Sequence, residues 1–222
     1  MPSNLKPRKF DLIFLDFDGV VVQSNDIKDR AFEKIFAQVP EHYDELIAYH
    51  LAHNVIPRRE KFRHAVYEVL RSPEGDALVD RWVNQFEELT REAVIACPFV
   101  NGAELFLSRA SQTLPLVLVS ATPQTDLDLI VDRRRLRAYF TEVHGAGKSK
   151  SQIMSKVLDG RGFTADRALF LGDSPEDLTA AREAGVAFLG IHGRTNFSGD
   201  ASVESVADLA AALNWFSERQ SV

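Results

Sequence analysis

Short apolar runs at 11–15, 115–119 (PLVLV), 168–171 (ALFL) and 187–191 (AFLGI) constrain this chain more than any other feature, because helix-length amphipathic stretches separate the later ones. Those stretches lie at 102–112, 123–138, 150–159 and 175–184, with a last helix at about 203–217 and a further short strand near 142–144. Strands linked through helices cannot close as hairpins. They need crossover connections, so the pattern predicts an α/β fold with a mostly parallel sheet and helices on both faces.

One block interrupts the alternation. Between about 24 and 98 the apolar residues keep helical spacing, first in Ala31, Phe32, Ile35, Phe36 and Val39, then across 42–53, 57–70 and 76–95. Ser24, Asn25 and Asp26 are placed to cap the first of these helices. A strandless block cannot belong to a sheet. Residues 1–23 and 98–222 are therefore expected to form the α/β core, and 24–97 an inserted all-helical domain. Residues 1–9 read as a short disordered lead.

In open parallel sheets ligands bind beyond the carboxyl ends of the strands. The first run ends in Asp16 and Asp18 followed by Gly19; 115–119 ends in Ser120, with Thr122 close behind; 168–171 ends in Gly172, Asp173 and Ser174, with Asp177 beyond. Carboxylates at the end of a buried strand are costly unless a cation or a hydrogen-bond network offsets their desolvation. Asp16, Asp18 and Asp173 would bring three hard oxygen donors together, which suits Mg²⁺. Ser120, the amides opening helix 123–138 and a lysine could hold phosphate oxygens. Gly19 and Gly172 permit tight turns and close backbone approach.

Composition excludes several classes. Over 222 residues the formal charge is −6, which gives no basic footprint for nucleic acid. The arginines at 133, 134, 135 and 137 fit a solvated helix face better than a binding patch. No run approaches the roughly 18 apolar residues of a membrane span. The single Cys97 cannot form an internal disulfide and reads as a packing residue, compatible with a reducing cytoplasm. A soluble, cytoplasmic protein is expected.

The order of the strand-end groups resembles the haloacid dehalogenase-like hydrolase superfamily, in particular its phosphoglycolate-phosphatase-like members with a helical cap. The matching motifs are DFDGV at 16–20, Ser120 in VLVSAT, a lysine in GAGKSKSQIM and GDSPED at 172–177. The resemblance implies a Rossmann-like core with a cap at 24–97, and Mg²⁺-dependent hydrolysis of a small phosphomonoester, such as a sugar phosphate or a phosphoglycolate-like metabolite. It implies that Asp16 is the nucleophile forming an aspartyl-phosphate and that Asp18 is the general acid/base. Asp16, the main-chain carbonyl of Asp18 and Asp173 would hold the metal. Asp177 would support that shell or orient the lysine, and Ser174 and the two glycines would shape the turns.

Two lysines compete for the third motif. Lys148 follows Gly147, whereas Lys150 opens a helix whose N-terminus aims it toward the crevice, and Lys150 is preferred. In the cap, HNVIPRREKF at 53–62 offers Arg58 and Arg59 as substrate contacts, together with Thr122 in the core. His42, His50, His53 and His64 read as surface or packing residues, and phosphonate cleavage is disfavoured because Lys61 has no supporting context as a Schiff-base lysine. A phosphosugar mutase and a non-catalytic phosphometabolite-binding regulator are the alternatives. Dehalogenation is disfavoured because dehalogenating relatives lack a counterpart of Asp18.

Overall fold

The computed structural model describes residues 10–53, 56–193, 195, 197 and 201–220. The expected disordered lead at 1–9 lies outside them. The chain divides into two compact units, 1–25 with 97–222, and 26–96.

The first unit is built on a six-stranded sheet: β1 (Leu12–Leu15), β2 (Leu116–Pro123), β3 (Glu142–Ala146), β4 (Ala168–Gly172), β5 (Ala187–Ile191) and β6 (Ser205–Val206). Its order is β3-β2-β1-β4-β5-β6 and every pairing is parallel. All four residues of β1 are fully buried, which is how a central strand covered on both faces must look. Leu12 and Phe14 join Val117, Val119 and Phe170 in packing against α7 (Lys150–Arg161) and α8 (Pro175–Ala184) through Ile153, Met154, Val157, Leu158 and Ala181. Ile13 and Leu15 point to the opposite face by the two-residue period of a strand. α5 (Ala103–Ala110) and α9 (Leu209–Gln220) pair through Phe106 and Phe216, with ring centroids 6.4 Å apart.

Three boundaries differ from the sequence expectation. β6 occupies residues assigned to the start of the last helix, which begins at Leu209 instead of 203. A two-residue strand is too short to show a period. α6 (Gln124–Arg133) stops before 138, because Arg135 adopts a left-handed backbone at φ 59° that no helix continues. β2 runs past Val119 to Pro123 after a register shift against β3, so Ser120 and Thr122 lie on extended chain.

The second unit contains α1 (Ile27–Phe36), α2 (Tyr43–Ala52), α3 (Arg58–His64) and α4 (Asp76–Ala96). α3 runs on as a π-helical turn over Ala65–Val69, closed by Leu70 N–H to the Ala65 carbonyl at 2.9 Å. Its core is aromatic: Phe32, Phe36, Phe62, Trp82 and Phe86 interlock with centroids 4.8–6.0 Å apart. No helix among the described residues is long and apolar enough to cross a membrane.

Candidate active site

The parallel register of β1 and β4 sets Leu15 level with Leu171, and the Asp16 amide donates to the Leu171 carbonyl at 2.9 Å. The residues that follow each strand therefore emerge side by side. Asp16, Asp173 and Asp177 can each bring one carboxylate oxygen within 4.8 Å of the others, and their exposures are only 6%, 4% and 0%. Lys150, at the first position of α7, reaches Asp16 Oδ1 at 2.7 Å and Asp177 Oδ1 at 2.6 Å. A capping box formed by Ser149 and Gln152 fixes that helix start, and with it the direction of Lys150. Lys148 is exposed on the preceding loop.

Asp177 is held from both sides. Lys150 takes Oδ1, while Oδ2 accepts from the Ser174 hydroxyl at 2.8 Å and from the Asp173 and Ser174 amides at 3.3 Å. Ser174 in turn caps α8. Gly172 is required by this closeness, since a Cβ there would fall 2.5 Å from Asp177 Cβ. Gly19, at φ +77°, is required twice over: its own turn is left-handed, and a Cβ would stand 2.1 Å from Asp173 Oδ2.

Asp18 stands apart from the carboxylate trio. Its Oδ1 accepts a short hydrogen bond from the Ser24 hydroxyl and its Oδ2 one from Thr122 Oγ1 at 3.3 Å. Ser120 is buried, and its Oγ accepts from the Thr122 amide at 3.0 Å, which sets the strand end that carries Thr122. Two aspartates only two residues apart thus have different surroundings. One faces an ammonium and two carboxylates, the other two hydroxyls.

The electrostatics follow from burial. Desolvation pushes the Asp16 carboxyl up from 3.8 to about 8 against the pull of Lys150, with Asp177 and Asp18 adding to the rise. Burial opposes the charge on Lys150, but Asp16 and Asp177 outweigh it and hold the amine well above its ordinary value. Fully ionised, as cation binding would require, the trio would carry three negative charges against the one positive charge of Lys150. A divalent cation would balance the remainder, and buried carboxylate oxygens are the donors a hard cation takes. The residues present fit such an ion, with Asp16 and Asp173 as its carboxylate ligands, because both oxygens of Asp177 are taken, Oδ1 by Lys150 and Oδ2 by the α8 cap, whereas Lys150 meets Asp16 through Oδ1 alone.

Several sequence expectations require correction. Ser24 and Asn25 do not cap α1: its N-cap is Asp26, with no side-chain capping bond. They turn back into the site instead, Ser24 to Asp18 and Asn25 Nδ2 to Asp173 Oδ2 at 2.9 Å. Their polarity was visible in the sequence, but polar residues before a helix signal a cap first. Arg58 and Arg59 pair with Glu87 and Asp80, each at 2.6 Å, within the helical unit. Each guanidinium thus has a carboxylate partner that a substrate anion would have to displace. Of the four histidines read as surface or packing residues, His50 is a packing one, and Lys61 is buried with it, both 4% exposed. Lys61 Nζ meets His50 Nδ1 at 2.9 Å and His50 Nε2 meets Asp29 at 3.1 Å, a chain spread over three helices that no local spacing reveals. Arg134 leaves the solvated face to donate to the Cys97 carbonyl at 2.8 Å and lie over the Phe99 ring.

A strand-end aspartate pair, a lysine lying between two carboxylates and an acidic trio thus stand together beyond the ends of parallel strands. The sequence pattern of haloacid dehalogenase-like hydrolases matches residues 10–185, and the chain belongs to that family. Solved structures share the fold. A candidate β-phosphoglucomutase from Thermotoga maritima superposes with a TM-score of 0.73 at 18% identity, covering 94% of this chain and 99% of that one. A predicted phosphoglycolate phosphatase from Haemophilus somnus gives 0.72 at 18% identity, over 93% and 97%. A magnesium-bound hydrolase of the same family from Bacillus subtilis, YfnB, gives 0.69 at 14% identity, over 94% and 99%. At these identities they establish the fold alone. No curated protein matches significantly in sequence.

Proposed function

We propose that this protein is a Mg²⁺-dependent phosphatase that hydrolyses a small phosphomonoester through an aspartyl-phosphate on Asp16. The observation that carries the reading is the difference in surroundings between Asp16, held at 2.7 Å from Lys150 beside Asp173, and Asp18, held by Ser24 and Thr122. An Asp16 oxygen attacks phosphorus as the bond to the leaving oxygen breaks, and Asp18 gives that oxygen its proton. Water then attacks the phosphorus of the acyl phosphate, Asp18 takes the water's proton, and Asp16 is released with inorganic phosphate. Lys150 and Ser120 hold phosphate oxygens. Asp16, Asp173 and the Asp18 carbonyl would hold the cation, which would neutralise charge on the attacking carboxylate and on the phosphate oxygens. The substrate class is a small phosphorylated metabolite of the cytoplasm. A contact from Arg58 or Arg59 would exchange Glu87 or Asp80 for a substrate anion; R58A or R59A should then raise KM for the true substrate more than for an aryl phosphate.

The test is phosphate release from a panel of phosphomonoesters with Mg²⁺. Activity on at least one member, abolished in Asp16→Asn, is expected. Wild-type protein that releases nothing from the whole panel, or an Asp16→Asn variant as active as wild type, overturns the reading. A phosphosugar mutase would give an isomerised sugar phosphate in place of free phosphate, so product analysis separates the two.

A further inference from the structure

Ser24 and Asn25 are the last residues of the α/β unit before the helical one begins at Asp26. Capping does not explain them, since Asp26 is the N-cap of α1 and makes no side-chain capping bond. Ser24 is only 2% exposed, and its hydroxyl is spent on Asp18 Oδ1. Its neighbour points to a different carboxylate, Asn25 Nδ2 to Asp173 Oδ2 at 2.9 Å. Consecutive side chains thus address two of the site's aspartates, and the contacts are crowded enough that a Cβ on Gly19 would stand 2.5 Å from Asn25 Nδ2.

The backbone that presents the pair is anchored independently of it. Val21 and Gln23 exchange hydrogen bonds with the segment that returns to this unit: Val100 N–H to the Val21 carbonyl at 3.0 Å, and Gln23 N–H to the Pro98 carbonyl at 2.9 Å. The Gln23 side chain donates to the Phe99 carbonyl at 2.9 Å, and Ser24 N–H closes on the Val22 carbonyl at 3.0 Å. The outgoing and returning segments therefore form one antiparallel ribbon, with Val22 bridged to Phe99. Ser24 and Asn25 follow directly at its hydrogen-bonded end, and groups that orient a carboxylate require such support.

We propose that Ser24 and Asn25 are a positioning pair with separable tasks. Ser24 orients Asp18 for proton transfer at the leaving oxygen, and Asn25 orients Asp173 for the divalent cation. The inference rests on the phosphatase reading above. A hydroxyl suits Asp18 because it can donate to the carboxylate and accept from the acid, so it holds the group in both halves of the cycle. An amide suits Asp173 because it donates without adding a positive charge that would compete with the cation.

The experiment compares 4-nitrophenyl phosphate, whose leaving group needs little protonation, with phenyl phosphate, whose leaving group needs more, and measures Mg²⁺ affinity of the resting protein by calorimetry. Ser24→Ala is expected to lower kcat on phenyl phosphate about tenfold more than on 4-nitrophenyl phosphate, a fraction of the range that general acid–base catalysis supplies. Ser24→Thr should restore the ratio, and Mg²⁺ affinity should stay at the wild-type value in both. Asn25→Ala should weaken Mg²⁺ binding about tenfold, equivalent to about 1.4 kcal/mol, with no change in the substrate ratio. Equal losses on both esters in Ser24→Ala, or unchanged Mg²⁺ affinity in Asn25→Ala, overturn the corresponding half. Should Ser24→Ala not fold, Ser24→Cys, which keeps the volume but weakens the donor, must show the same bias. Asp16→Asn keeps the two levels distinct. If it leaves phosphate release intact, the phosphatase reading fails; if it abolishes release while the Ser24 and Asn25 variants behave as wild type, only this inference fails.

Discussion

At the scale of single residues, the two lysines of the third motif show how far helix logic reaches. Lys150 was the better choice on sequence because a helix N-terminus gives its side chain a direction, and the structure puts its amine between Asp16 and Asp177. Lys150→Met should therefore abolish phosphate release, by 10²-fold or more if it removes one preorganised charge contact, roughly the scale for such a group. Lys148→Met should stay within about threefold, as exposed substitutions away from a site generally do. Parallel steady-state assays of both variants check this. Ser24 shows the opposite case: its sequence context says helix cap, and only the fold reveals the carboxylate it serves. The raised Asp16 carboxyl makes a second prediction. An acid whose folded value, about 8, exceeds its ordinary 3.8 keeps its proton longer folded than unfolded, so between those values stability falls as pH rises. In chelator, Asp16→Asn should match wild type below pH 4 and melt above it by pH 8. Thermal unfolding across that range tests the sign.

Among the elements, strands and helices with strong periods were legible, because a buried parallel strand has to be apolar and a packed helix has to repeat. The chain's silences lie where a period is too short, as in β6, or where the backbone departs from it, as in the π-helical turn after α3. The polar chain across α1, α2 and α3 was hidden for a different reason. Asp29, His50 and Lys61 come from three helices, and their meeting is a property of packing. Lys61 Nζ donates to His50 Nδ1, so His50 carries its proton on Nε2 toward Asp29, and Phe32 lies against both groups. Removing the ammonium while keeping the side-chain length, as in Lys61→Met, leaves a buried imidazole nitrogen without this donor. A loss of about 1–3 kcal/mol is expected for such a group. Trp82 sits in the same core, so its fluorescence during urea unfolding, in a Trp215→Phe background, reads the helical unit directly.

For the whole molecule, the site exists because one sheet order brings distant segments together: β1, β2 and β4 are neighbours, although Asp16, Thr122 and Asp173 are far apart in the chain. Strand-end aspartates were legible one by one, but their division into a trio and an outlier was not, since spacing alone made Asp18 as good a ligand as Asp173. The structure turns the Asp18 carboxylate toward Ser24 and Thr122 and ties Asp177 to Lys150 and the α8 cap, which leaves Asp16 and Asp173 as the carboxylate pair for a cation. Cation binding should follow that division. A ligand that binds only the folded state stabilises it by mass action, about 2.7 kcal/mol at a hundredfold excess over Kd. Mg²⁺ should accordingly raise the melting temperature of wild-type protein, and chelator should reverse the rise. Asp173→Asn should lose the effect, because a neutral amide replaces one anionic ligand of the pair. Asp18→Asn should keep it, because the only group Asp18 would offer the ion is its main-chain carbonyl, which the substitution does not touch. If the Asp18 variant instead lost the Mg²⁺ shift while the Asp173 variant kept it, the cation would have to sit on the Ser24 and Thr122 side of the site, and the division of roles between the two aspartates of the first motif would be reversed.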